Sequence, residues 1–378
     1  MKKEEYKKNI HEITDWDKDV YELLVTTELT KEQETQIVTP PMILPYQKEV
    51  IGVHWHPEII PFPLIEQRVA NMFPNKQKEL LIPTQHNELL DYKGYSGVEI
   101  DCFSKEFNRK VQLLVHFKKE RVKDAGVFRS MLDHTFKYRA SQFFELINAI
   151  IEPKQEKILQ EAIKKSATDK EVVEFTKTYT KKLKMMIDNN FNNTSTVSLK
   201  NKLLPNYIIM LKDFFDEKLI ERSLLFIKSI KKIVKREFKL DFFYDTNEFI
   251  EEIKSLGGGI IIPHPEQFWP ILLADYDVDG IEVWNPQSRE FTKFLVDVVI
   301  KKNKNRKVCE KPLLLFMGDD THLGEKLKKP EHQDKEKIER EIGYQPAWDE
   351  LDIKKSLILG NFSRNTTIDD YKNRLENP

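Results

Sequence analysis

Short apolar runs and long amphipathic stretches divide this chain unevenly. Seven runs of a few residues, rich in Val, Ile and Leu and bounded by polar or turn residues, read as β-strands. They lie at 50–53, 80–83, 97–102, 111–117, 259–263, 280–284 and 313–317. Four precede and three follow a block, 118–256, with almost no Gly and little strand signal. Within it, SQFFELINAIIEPKQEKILQEAIKK and DEKLIERSLLFIKSIKKIVKREF carry apolar residues at three- and four-residue spacing, which predicts amphipathic helices. Residues 189–198, NNFNNTSTVS, read as a polar loop between them. The first forty residues read as helix and connector, closed by Pro40 and Pro41. The tail beyond Gly324 is charged, with a predicted helix at 335–341 and one apolar run at 357–359. Short, nearly continuous apolar strands with longer connections predict a parallel sheet or barrel.

Composition narrows the class. The 378 residues carry a formal charge of only −1, so no global charge argues for nucleic acid or membrane. Two cysteines, Cys102 and Cys309, make neither a disulfide framework nor a thiolate zinc site. Cys102 is expected as a small buried hydrophobe. The N-terminus is charged and has no apolar signal-peptide core, and no apolar run is long enough to span a bilayer. A cytoplasmic chain without membrane contact is the expectation.

The histidines change the picture. Six of nine fall at or just beyond the C-terminal end of a predicted strand: His54, His56, His86, His116, His264 and His322. His11, His134 and His332 do not. The third strand adds Glu99, and Asp320 lies two residues before His322. Residues i and i+2 of an extended chain point the same way, so His54 and His56, and likewise Asp320 and His322, would face one side. In β/α barrels the active site lies at the C-terminal strand ends. Neutral imidazoles and carboxylates converging there suit zinc, manganese or iron. Any one of these residues taken alone is an ordinary structural His or acid. The joint placement is what points to a metal centre.

The ordered set HWH (54–56), TQHN (84–87), GVEI (97–100), VHF (115–117), PHP (263–265), GIEVWN (280–285) and GDDTH (318–322) resembles the PHP (polymerase and histidinol phosphatase) family. The resemblance implies an α/β fold, a distorted (β/α)7 barrel, with a large all-helical insertion between its fourth and fifth strands. The segments would be 1–47 (helix and connector), 48–117 with 257–325 (barrel), 118–256 (insertion) and 326–378 (C-terminal extension). It also implies two or three divalent ions: one on His54, His56, Glu99 and Asp320, a second on Glu99, His116 and His264, and a third on His86 and His322. The family's Asp or His shortly after the H-x-H pair is missing from PEIIPFPLIEQ, which leaves Glu58 or Glu66 to substitute.

The activity implied is hydrolysis of a phosphate mono- or diester by a metal-activated water, with Glu99, Asp320 and His322 in the catalytic roles. A phosphorylated small molecule or nucleotide would be the substrate. Arg289, beyond the sixth strand, is a candidate phosphate contact, and Arg109, before the fourth, a weaker one. The Gly257-Gly258-Gly259 run precedes a strand and reads as a turn. The insertion holds 28 Lys and Arg against 21 Asp and Glu, densest at 228–239. This basic excess keeps two alternatives open. One is a nuclease or nucleic-acid-processing factor with the same metal centre. The other is a non-catalytic PHP module that binds a protein partner through the insertion. Leaving the barrel on the metal side, the insertion is also placed to serve as a lid, with Asp133 and His134 as contributors.

Overall fold

The computed structural model describes Tyr6, residues 12–307 and 311–328, Pro330 and residues 333–378. His11, Cys309 and His332 lie outside the described residues. The chain packs as two compact units, Met1–Glu28 with Lys137–Lys239, and Leu29–Phe136 with Leu240–Pro378. Among the described residues no helix is long and apolar enough to cross a membrane.

The first unit is helical. Its longest complete helices, Lys170–Asn190 and Glu217–Glu237, each bury one stripe. In the second of these, Ile220, Phe226, Ile227, Ile230, Ile233 and Val234 are buried at helical spacing, so the lysines between them face outward. Arg236 makes two 2.9 Å contacts with Glu161. At the centre of the unit Asp17 is buried but fully partnered. It accepts from Tyr6 Oη and Tyr207 Oη at 2.6 Å each and from Lys182 Nζ at 2.8 Å.

The second unit holds all the strands assigned among the described residues: β1 (Glu49–Gly52), β2 (Trp55–His56), β3 (Lys78–Leu81), β4 (Leu90–Tyr92), β5 (Tyr95–Ser104), β6 (Arg109–Lys118), β7 (Gly259–Ile262), β8 (Gly280–Trp284), β9 (Leu314–Met317) and β10 (Thr321–His322). The seven runs read from the sequence are β1, β3 and β5 to β9. β2, β4 and β10 are two or three residues long, too short to show a period.

β4 to β9 form one six-stranded sheet in chain order, and β1/β3 and β2/β10 are separate parallel pairs. The sheet is mixed, whereas the sequence pattern predicts a parallel one. β4/β5, β5/β6 and β6/β7 are antiparallel, and β7/β8 and β8/β9 parallel. The reason lies in the loop between Ser104 and Arg109. Four residues allow a hairpin, while a parallel return needs a dozen or more. Asn108 takes the positive φ of 48° that the tight reversal demands.

The hairpin also sorts side chains. Val98, Ile100 and Cys102 join the main apolar core, so Glu99 and Asp101 point to the opposite face. Two further contacts extend the sheet. Gln85–Asn87 runs beside β5, with Glu99 N donating to Gln85 O (3.1 Å) and Asn87 N to Glu99 O (2.7 Å). Gly97 permits this approach, because a Cβ there would lie 2.2 Å from Pro83 O.

The tail beyond 325 belongs to this unit. The helix Arg364–Glu376 packs Ile368, Tyr371 and Leu375 against Ile51, Ile82, Leu114 and Phe316. Ala347, Trp348, Ile353 and Leu357 join the main core.

Candidate metal centre

Seven of the eight predicted ligands come together, each delivered by its local geometry. After β1 the chain bends at His54 and pairs again at β2. Trp55 is fully buried in an apolar cluster with Ile60 and Tyr92, so His54 and His56 turn to the other face. The β2/β10 pairing sets His56 opposite His322. Their rings stack at 4.3 Å, and the His86 ring stacks against His56 at 4.6 Å and lies 6.1 Å from that of His322. The parallel bridge between His86 and Glu99 brings His86 Nδ1 within 2.7 Å of Glu99 Oε2.

His264 and Asp320 sit in left-handed backbone, at φ 28° and 44°. Neither is Gly, and such strain persists only where its surroundings over-determine it. Glu58, two residues after His56, and Asn87, next to His86, are at φ 54° each.

Three overlapping groups result: His56, His86 and His322; His54, Glu99 and His264; and His54, His56 and Asp320. Within each group, one candidate ligand atom per residue lies within 4.8 Å of the others. Glu99 Oε1 is 3.5 Å from His264 Nε2, and Glu99 Oε2 is 3.5 Å from His56 Nε2. Asp320 Oδ1 is 3.6 Å from His54 Nε2, 3.6 Å from His56 Nε2 and 3.3 Å from His322 Nε2. His54 Nε2, both ring nitrogens of His56 and His322 Nδ1 are buried without a hydrogen-bond partner. Buried polar atoms are ordinarily paired. Unpartnered buried ring nitrogens converging with two carboxylates make the donor set of a divalent ion, so the residues fit one.

The electrostatics agree. Burial opposes charge on Glu99, but His86 and His264 beside it hold its carboxyl well below the usual range. Asp320 is likewise buried, and His322 and His56 hold it down. Burial works against a charge on His54, yet Glu282 overrides it and raises the ring to about 10. His56, buried between two other imidazoles, is depressed to about 3. His322 is raised despite burial, by Asp320 and then Glu58.

His116 is not brought into any of the three groups. Its Nε2 is 3.0 Å from Val53 O and its Nδ1 2.7 Å from Tyr371 Oη. A carbonyl can only accept, so Nε2 carries the proton and Nδ1 accepts from the tyrosine. Neither nitrogen has a lone pair left for an ion. Of the two acids able to substitute for the missing one, Glu58 Oε1 lies 3.6 Å from His322 Nδ1, whereas Glu66 pairs with Lys93 at 2.8 Å.

The remaining candidates lie elsewhere. Arg289 is exposed. Arg109 stacks over Phe268. His134 Nε2 donates to Phe242 O at 2.7 Å. Cys102 is buried, and burial pushes its thiol up to about 12.

Two residues at the centre were given no role in the reading of the sequence. Glu282 Oε2 lies 2.6 Å from His54 Nδ1. Its signal was a carboxylate in the middle of a wholly buried apolar strand. Arg340 Nη1 donates to Asp320 Oδ2 at 2.6 Å and to Asp320 O at 3.0 Å. Nothing in KEKIEREIG distinguishes this arginine from a solvated one.

No family model and no curated protein matches the chain. Among solved structures, the chain is similar to a protein of Bifidobacterium adolescentis whose own assignment, metal-dependent phosphoesterase, is provisional. The identity is 15%, the match covers 84% of this chain and 97% of that one, and the TM-score is 0.39. Likeness at that level does not fix a fold or a function.

Proposed function

We propose that this chain is a metal-dependent phosphoesterase of PHP type, acting on a phosphorylated small molecule or nucleotide. The observation that carries the reading is the convergence of His54, His56, His86, His264 and His322 on Glu99 and Asp320, with buried ring nitrogens unpartnered. A distorted seven-strand barrel is proposed as the frame. It is supported by the succession of pairings β1/β3, His86 with Glu99, and β5 through β9, and by the short β10/β2 pair, whose strands follow β9 and β1 in the chain.

Divalent ions held here, manganese, zinc or iron, would supply Lewis acidity toward phosphoryl oxygens and lower the pKa of water. His54 Nε2, His264 and Glu99 would hold one. His56, His86 and His322, with Glu58 nearby, would hold another. A ring nitrogen has one lone pair, so the group of His54, His56 and Asp320 shares donors with both. Glu99 presents Oε1 to His264 and Oε2 to His86 and His56, so its two oxygens address two groups at once. Asp320 balances charge among three imidazoles. The positions are set before any substrate arrives, so stabilisation of developing negative charge needs little reorganisation.

The test is a hydrolysis screen of p-nitrophenyl phosphate, bis-p-nitrophenyl phosphate and a short oligonucleotide. Chain reloaded with Mn²⁺ or Zn²⁺ is compared with chelated chain. Metal-dependent turnover that falls at least 100-fold in Glu99→Ala is expected. Loaded chain inert toward all three would count against a phosphoesterase.

A further inference from the structure

Gly318 and Glu282 meet in a way that only glycine allows. A Cβ at position 318 would lie 2.0 Å from Glu282 Oε2 and 2.2 Å from its Cδ. No real contact is that short, so any side chain at 318 displaces the carboxylate.

The seated carboxylate is almost wholly buried, at 1% exposure. A buried carboxylate is tolerated only when hydrogen-bonded. Its Oε2 lies 2.6 Å from His54 Nδ1, while Oε1 accepts from the backbone N of His264 and from Asn285 Nδ2 at 3.2 Å each. Two of these three donors belong to candidate ligands of one group, His54 and His264. An ionised carboxylate only accepts, so the proton sits on His54 Nδ1. Nε2 is then the atom turned toward Asp320 Oδ1, at 3.6 Å.

Resting on the metal-centre reading above, we propose that Glu282 is a positioning residue. Seated on Gly318, it keeps the proton on His54 Nδ1, aims Nε2 at the ion position and ties down the backbone of His264. Partners of this kind outside the ligand shell change metal affinity about 10- to 100-fold when removed.

The experiment is a chelator-competition titration of the full chain with Mn²⁺ and with Zn²⁺, each alone. It compares wild type with Glu282→Ala, Glu282→Gln and Gly318→Ala, and each variant is also melted metal-free. Glu282→Ala is expected to bind about 10- to 100-fold more weakly. Glu282→Gln keeps an acceptor for Nδ1–H and is expected to recover part of the loss. Gly318→Ala touches no ligand, yet is expected to weaken binding too.

A wild type that takes up neither ion sinks the metal-centre reading itself. Wild type that binds, beside folded Glu282→Gln and Gly318→Ala chains of unchanged affinity, overturns this inference alone. Lowered melting temperatures with unchanged affinities would do the same. If Glu282→Ala does not fold, the other two variants decide.

Discussion

His116 is where residue pattern and geometry part most sharply, and its replacement separates a ligand from a structural group. Removing the ring in His116→Ala orphans two buried groups, Val53 O and Tyr371 Oη. Each orphan costs about 1–3 kcal/mol. The vacated volume adds a cavity penalty, and ring-to-Ala changes in cores total roughly 3–5 kcal/mol. A loss of about 4 kcal/mol is therefore expected. His116→Gln retains a donor able to reach Val53 O, so it should lose about half as much. The pH dependence gives a second arm. Burial depresses the ring to about 3, from an ordinary 6.5. Between those values the unfolded chain binds the proton and the folded one does not. Stability therefore falls as pH drops below 6.5, by up to about 1.4 kcal/mol per unit. His116→Gln should flatten that slope by up to one group's worth. Urea titrations at pH 7 and 5, with elemental analysis of each preparation, measure both arms. Metal content should match wild type. A variant within about 0.5 kcal/mol of wild type that has lost one ion per chain would show His116 to be a ligand and refute the assignment.

Three further outcomes follow from the same geometry. Arg340→Met leaves a buried Asp320 without its guanidinium, so the metal-free chain should lose roughly 3 kcal/mol, partly restored by Mn²⁺, in thermal melts with and without the ion. An unchanged melt would remove Arg340 from the site. Glu58→Ala should release the most weakly held ion on dialysis and leave the others, whereas Glu66→Ala should change nothing, and equal metal content in both would separate Glu58 from the centre. Because Glu282 raises His54 to about 10, ion uptake at pH 8 must displace the Nε2 proton. A pH indicator in weak buffer should record at least one proton per chain, and affinity should fall as pH drops.

The seven longer strands and the amphipathic helices were legible because each obeys a local period. The H-x-H pair was legible for the same reason. Trp55 supplies the apolar alternate, so the flanking imidazoles face together. Strand direction was not legible from apolar runs, and the deciding signal was the short loop after Ser104. Glu99, Asp320 and five of the six strand-end histidines come together in the three groups of candidate ligand atoms. His116 bonds to Val53 O and Tyr371 instead, because alternation fixes a face and not a partner. Its partner, Tyr371, lies 255 positions away on a helix of the C-terminal tail. Arg340 was hidden for the same reason. Gly343 N and Gln345 Nε2 donate to Asp319, anchoring the tail beside Asp320, and no spacing rule reports such a contact.

The account stands most directly on metal content. Elemental analysis of chain purified without chelator, beside Glu99→Ala and His264→Ala, should find two or more ions of Mn, Zn or Fe per chain. Both variants should fall by at least one while remaining folded. A wild-type chain that carries no metal, and gains none when Mn²⁺ or Zn²⁺ is supplied, would contradict it.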